Sequence, residues 1–256
     1  SCPGGVANMA VAASRLGLRT AVAAAFGEDV YGDFCWETLA NQEMVDLSAV
    51  SADSQLAFPV HGVAGLTGVT AAWSPTSIRH RSRCRDMARD LPQARAAFVS
   101  LSNEDGVPEW AQEQAKNGTL IFADVGWDDS QRWSPSVLEQ LRHCHAFMPN
   151  AIEAMAYTRT GSPALAVAAL AEHVPVAVVT DGPRGAIAID QTTGEEAEVE
   201  GIVIDAVDTT GAGDVFGAGF IMGTLAGWPL EQRLRFANLC AALSVQHTGG
   251  SLSAPG

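Results

Sequence analysis

The string Asp208-Thr209-Thr210-Gly211-Ala212-Gly213-Asp214 most restricts how this chain can fold. It follows the β-branched run Gly201-Ile202-Val203-Ile204-Asp205-Ala206-Val207, which reads as a strand. Beyond it Phe216, Phe220, Ile221 and Leu225 recur at helical spacing. The expected arrangement is strand, tight turn, helix. Gly211 and Gly213 lack a Cβ, so the turn can take positive φ and let a ligand approach the main chain. The amides of Gly211, Ala212, Gly213 and Asp214 would be the unpaired donors of the new helix, and its dipole adds about half a positive charge there. Such an end suits an anion. Asp214 adds a carboxylate beside those donors, placed to take a proton from a hydroxyl attacking a bound phosphoryl group while the amides stabilise the moving charge. A helix cap on a simple glycine turn is the plainer alternative.

Length and charge limit the function classes. With 256 residues the chain can bury a sizeable core, and no stretch has the composition of a linker, so one main domain over 1–256 is expected. The formal net charge of −14 disfavours nucleic-acid and anionic-membrane partners, which reward basic surfaces. Lys116 is the sole lysine and no Gly-x-x-x-x-Gly-Lys-Ser/Thr loop occurs, so amides, arginines and a metal must supply positive charge to any nucleotide. Cys2, Cys35, Cys84, Cys144 and Cys240 are scattered and odd in number, which points to reduced thiols and a cytoplasmic protein. No apolar run has the length of a membrane span. The chain starts at Ser1 and enters a glycine motif almost at once, so an N-terminal strand is expected to be missing from it.

Pro3-Gly4-Gly5-Val6-Ala7-Asn8 leads into Met9, Val11, Ala12, Leu16 and Gly17, a glycine turn feeding a helix that ends at Gly17. Asn8 offers both a donor and an acceptor, which suits a sugar hydroxyl, and it also suits a cap. Together with Gly27 to Gly32 and the Asp208–Asp214 string, this resembles the ribokinase-like (PfkB) family of carbohydrate and nucleoside kinases. The resemblance spans Gly4 to Gly250. It implies that Gly211, Ala212 and Gly213 form an anion hole with Thr210 beside the nucleotide, that Asp214 is the base, and that Gly4, Gly5 and Asn8 contact the phosphoryl acceptor. Only Val6 and Ala7 separate Gly5 from Asn8, where the family usually has three residues.

Between these ends the pattern alternates. Residues 20–26 read as a strand and 33–40 as a helix; 45–73 are β-rich, and the resemblance implies a small β lid there. Strands are expected at 96–101, 120–125, 145–150, 176–180 and 186–189, with helices at 107–116, 137–142, from 150 onward, and 229–246. That order predicts a mostly parallel sheet with helices on both faces, a three-layer α/β/α sandwich. Asn150-Ala151-Ile152-Glu153 reads as an N-cap with an acidic first turn. It also matches the family's Asn-x-x-Glu motif, which implies Asn150 near the nucleotide phosphates and Glu153 near Mg²⁺, acting through water. By the same resemblance Thr180, Gly182 and Gly185 follow the nucleotide and Asn238 borders the adenine.

The expected protein is therefore an ATP- and Mg²⁺-dependent kinase of a sugar or sugar-like acceptor, with a homodimer through the lid implied by the family. The alternatives are a nucleoside kinase of the same family and a non-catalytic nucleotide- or sugar-binding protein on the same scaffold.

Overall fold

A computed structural model of the protein describes residues 5–27, 30–53, 94–101, 106–128, 130–249 and 253–256. Its packing divides the chain into two compact units, one of residues 1–92, 205–219 and 243–256, the other of residues 93–204 and 220–242.

The first unit contains α1 (Gly5–Arg15), β1 (Ala21–Gly27), α2 (Val30–Trp36) and β2 (Asp46–Asp53). Helix α2 runs on into a π-helical turn at Glu37–Gln42, extending the helix expected at 33–40. Strands β1 and β2 pair in parallel from Ala21↔Asp46 to Gly27↔Asp53. Ala7, Ala10, Val11, Val22, Cys35, Leu39, Val45 and Leu47 form a buried cluster. The small residues on α1 allow close helix packing, and Arg15 fixes the C-terminal end of α1. Its guanidinium donates to both oxygens of the buried Glu43, at 2.8 and 2.6 Å, and to the Ala254 carbonyl at 2.9 Å. Of the region expected to form the lid, β2 is described; the remainder, with Gly4, Asp29 and Gly250, lies outside the described residues.

The second unit holds a six-stranded sheet in chain order: β3 (Ala96–Leu101), β4 (Leu120–Val125), β5 (Ala146–Phe147), β6 (Val176–Thr180), β7 (Ala186–Asp190) and β8 (Glu195–Val199). β3 to β6 run parallel, β7 pairs antiparallel with β6, and β8 pairs antiparallel with β7. Helices α3 (Glu109–Lys116), α4 (Ser136–Gln140), α5 (Ala151–Thr158) and α6 (Pro163–Ala171) join the parallel strands. Side chains alternate across a strand. Val99, Ile121, Ala123, Phe147, Ala177 and Val179 enter one core cluster, while Phe122, Ala146, Val176 and Val178, facing the other way, are equally buried. Both faces of the sheet are covered, as a parallel sheet requires.

Three local expectations change. Residues 201–207 are not a strand; they run without regular structure, with Val203 fully exposed and the Val207 and Asp208 amides bonded to the Val245 carbonyl at 2.7 and 3.1 Å. The cause lies just upstream. A Cβ on Gly201 would collide with the Pro183 carbonyl, so the chain leaves β8 by packing backbone on backbone, and residues 201–207 find no partner strand among the described residues to form a ladder with. The strand expected at 145–150 is regular only at Ala146–Phe147, because Pro149 carries no N–H and Asn150 turns to cap α5. Helix α6 and the Glu-rich strand β8 were not anticipated. The latter is an edge strand held by its ladder to β7, with its glutamates 195, 196 and 198 outside the fully buried set.

Candidate active site

The chain turns at Gly211, with φ of 78°, and enters α7 (Ala212–Leu225). Asp208 builds the turn. Its Oδ1 accepts the Thr210 amide at 2.9 Å and its Oδ2 the Gly249 amide at 3.2 Å, and these bonds, Thr210 foremost, hold its carboxyl below the usual range. Thr210 thus spends its N–H inside the turn. The Ala212 amide also differs from expectation, since it donates to the Thr209 carbonyl at 3.2 Å. Among the described residues the amides of Gly211, Gly213 and Asp214 have no bonded acceptor, so three donors rather than four are open to an anion. A Cβ on Gly213 would meet nothing within 4 Å, which leaves that side of the turn clear.

Asp214 is half-buried in the first turn of α7, and burial pushes its carboxyl up to about 7, against a smaller lowering by the Asn8 amide. Asn8, buried on α1, donates from Nδ2 to Asp214 Oδ2 at 3.2 Å, joining residues 206 apart in the chain. The two glycine motifs of the first unit therefore meet through these side chains. Gly5 opens α1.

The second unit gathers the other predicted residues. Asn150 caps α5: its Oδ1 accepts from the amides of Ile152 and Glu153 at 3.0 Å each, and Glu153 Oε2 accepts the Asn150 amide at 3.1 Å. This is a reciprocal capping box. Glu153 is buried, which raises its proton affinity, while the bonds with Asn150 lower it. Asn150 bridges to Thr180 at the end of β6, and the Thr180 amide donates to the Pro149 carbonyl at 3.1 Å. These residues lie at the carboxyl ends of the parallel strands, the edge where open α/β sheets bind ligands. Next comes the turn Gly182–Arg184. Gly185 follows with φ of 103°, and a Cβ there would strike the Val199 carbonyl and the Gly201 amide, so packing alone demands glycine. Arg184 is exposed and holds Asp181 through two bonds of 2.7 Å, so its charge is already neutralised. Asn238, on α8 (Leu230–Ser244), donates to the Glu200 carbonyl at 3.4 Å, next to that Gly201 contact.

An aromatic column that sequence reading overlooked stands beside Glu153. Trp127, Trp133 and Tyr157 pack edge to face, centroids 5.2 and 5.3 Å apart. Asp128 accepts the Trp133 amide at 2.8 Å and Arg159 donates to the Arg132 and Trp133 carbonyls, holding Gln131, Trp133 and Arg159 at φ near +50°. Burial first, then the charges of Asp128 and Glu153, pushes the Tyr157 hydroxyl up to about 12. The three tryptophan and tyrosine positions were legible, but nothing in their spacing announced a column.

The donor set fits a magnesium nucleotide. Among the described residues no group of three or more His, Cys, Asp or Glu side chains converges, and a Mg²⁺ held by phosphates and water needs none; Glu153 is the carboxylate that could meet its water shell. The open amides suit the phosphoryl group itself. A helix start with open amides beside a half-buried carboxyl, in a chain that also builds a parallel sheet covered on both faces, is the equipment of an α/β phosphotransferase.

Comparison with known proteins agrees. The model of the pfkB family carbohydrate kinases matches residues 2–256, and the chain belongs to that family. A ribokinase from Haemophilus influenzae is 27% identical over 260 residues, covering 97% of this chain and 82% of the relative. Among solved structures, an Escherichia coli protein provisionally assigned as ribokinase II, in complex with ATP and Mg²⁺, superposes with a TM-score of 0.77 at 23% identity over 98% of this chain and 85% of its own. The aminoimidazole riboside kinase of Salmonella enterica, complexed with aminoimidazole riboside and an ATP analogue, gives a TM-score of 0.76 at 24% identity over 98% and 88%. The ribokinase-like fold follows from these likenesses. Among the described residues no helix is long and apolar enough to cross a membrane.

Proposed function

We propose that this protein transfers the γ-phosphate of ATP to a hydroxymethyl group of a sugar or sugar-like acceptor. The observation that carries the reading is Asp214, a carboxyl raised to about 7 in a glycine turn whose Gly211, Gly213 and Asp214 amides have no bonded acceptor among the described residues. A base that titrates near neutral pH is matched to taking a proton from an alcohol. Gly211, Ala212 and Gly213 hold the transferring phosphoryl charge, with the Ala212 amide exchanging its long bond to Thr209 for the anion. Gly4, Gly5 and Asn8 orient the acceptor. Asn150, Thr180, Gly182, Gly185, Thr210 and Asn238 bind the nucleotide. Mg²⁺, when bound, would neutralise the nucleotide phosphates, with Glu153 contacting its water shell.

The acceptor class is the narrower part of the proposal: ribose, fructose, a ketodeoxy sugar acid or a nucleoside. A cytoplasmic setting is supported by the buried, reduced thiols of Cys35, Cys144 and Cys240. A homodimer through the lid belongs to the same reading, and sedimentation with and without residues 54–73 tests it. The deciding experiment is ADP release from Mg-ATP against a panel of these acceptors, with Asp214→Asn alongside. Turnover with one acceptor, lost in the variant, is expected. ATP binding without turnover on any acceptor would instead favour a nucleotide-binding protein on this scaffold.

A further inference from the structure

Asp214 is held by one oxygen. Asn8 Nδ2 bonds Oδ2 at 3.2 Å, and among the described residues Oδ1 has no bonded partner. The Asn8 side chain is 2% exposed, so its amide is shielded from water and retained in place by the packing of α1. We propose that Asn8 is a positioning residue for Asp214: by engaging Oδ2 it presents Oδ1 to the acceptor hydroxyl as the atom that takes the proton. This rests on the phosphotransfer reading above and adds a role distinct from contact with the acceptor.

The chemistry favours an amide at this place. A lysine or arginine would stabilise the carboxylate with a full charge and depress the basicity the reaction needs. A neutral N–H donor orients the group and lowers its proton affinity only modestly, leaving burial as the dominant influence. The other acidic side chain of the turn, Asp208, has both oxygens occupied by the Thr210 and Gly249 amides, and among the described residues no charged side chain is bonded to Asp214. In the transfer step the acceptor O–H bond breaks and its electron pair stays on oxygen, while the proton passes to Asp214 Oδ1. The acceptor oxygen, carrying that electron pair, bonds the γ-phosphorus as the bond from phosphorus to the β–γ bridging oxygen breaks, releasing ADP. Asn8 stays neutral throughout and keeps its bond to Oδ2.

The test uses the full chain labelled with carboxyl-¹³C aspartate. The Asp214 resonance is assigned by its loss in Asp214→Asn and titrated in the parent and in Asn8→Leu, which matches the size and removes the donor. Loss of a carboxylate hydrogen bond should move the midpoint up by about half to one pH unit. An unchanged midpoint in a folded variant overturns the proposal, and because no turnover is needed this outcome is separate from failure of the kinase reading. With a working acceptor, kcat should fall about tenfold or more, in the range that general-base effects span, and the acid limb of the pH–rate profile should move with the NMR midpoint whatever the acceptor KM does, since Asn8 also orients the acceptor. A raised acceptor KM with kcat and acid limb unmoved would assign Asn8 to acceptor binding alone and refute the positioning role. Should Asn8→Leu not fold, Asn8→Asp sets two carboxyls face to face, and the upper midpoint of the pair should rise by more than about one unit; no rise would refute the contact.

Discussion

Replacing Asp214 with asparagine preserves shape while removing a carboxyl that folding raises from an ordinary 3.8 to about 7. The sign of the stability effect follows from proton binding. Below pH 3.8 the carboxyl is protonated in both states and contributes no difference. Between 3.8 and 7 the unfolded chain gives up a proton that the folded chain retains, so folded stability falls as pH rises; above 7 the whole penalty of a buried carboxylate is present. At about 1.4 kcal/mol per decade of proton affinity the ceiling is about 4 kcal/mol. Asp214 keeps part of its surface in solvent, and screening there reduces the expected penalty to roughly 2 kcal/mol. Asp214→Asn should therefore be more stable than the parent at pH 8, by about 4–8 °C in Tm for a chain of this size, with the gain shrinking steadily toward pH 5. Thermal unfolding followed by circular dichroism across pH 5–8.5 measures it. The same variant should lose at least about a hundredfold in kcat. A variant that is less stable, or whose gain does not vary with pH, would show that Asp214 is an ordinary exposed carboxylate, and the case for it as base would fall with that result.

Other outcomes follow from the second unit. Arg233 donates to Asp190 at 3.2 Å and to the Trp228 carbonyl at 2.6 Å, and Asp190 and Arg233 are both buried, so Asp190→Ala strands a cation and should cost about 3–5 kcal/mol in urea unfolding. A cost below about 1 kcal/mol would mean that the guanidinium reaches water. Gly185→Ala meets both a positive φ and the Val199 carbonyl and should destabilise clearly more than Gly194→Ala, where φ is positive but space is open and the cost is about 1 kcal/mol. Equal losses would refute the packing argument. Asn150→Ala removes the cap of α5 and should cost about 1 kcal/mol while weakening Mg-ATP binding in calorimetry; stability loss with binding unchanged would confine Asn150 to its cap.

The parallel part of the fold was readable because its strands are short apolar runs separated by helical patterns. β3, β4 and β6 match their expected residues. The regions that escaped share a physical cause: their conformation depends on neighbours rather than on their own periodicity. β8 is a strand because β7 offers a ladder, despite four glutamates across 195–200. Residues 201–207 have strand composition and no partner strand among the described residues. α6 did carry local signals, Ser162 accepting the Leu165 amide and Pro163 in the first turn, and its near-uniform Ala and Leu face hid them from a search for amphipathic spacing.

The candidate site divides in the same way. Glycines at 211 and 213, Asp214 after them, and the Asn150–Glu153 spacing are chemical identities at fixed intervals, and backbone sterics make such intervals legible from sequence. The string alone therefore determined a glycine turn at a helix start with a carboxylate beside it, and with it the family. Which amides remain open, that Arg184 is already paired, that Gly185 answers to packing, and that Asn8 reaches Asp214 across 206 residues were decided by tertiary structure alone, because each depends on atoms that only folding brings within hydrogen-bonding or van der Waals range.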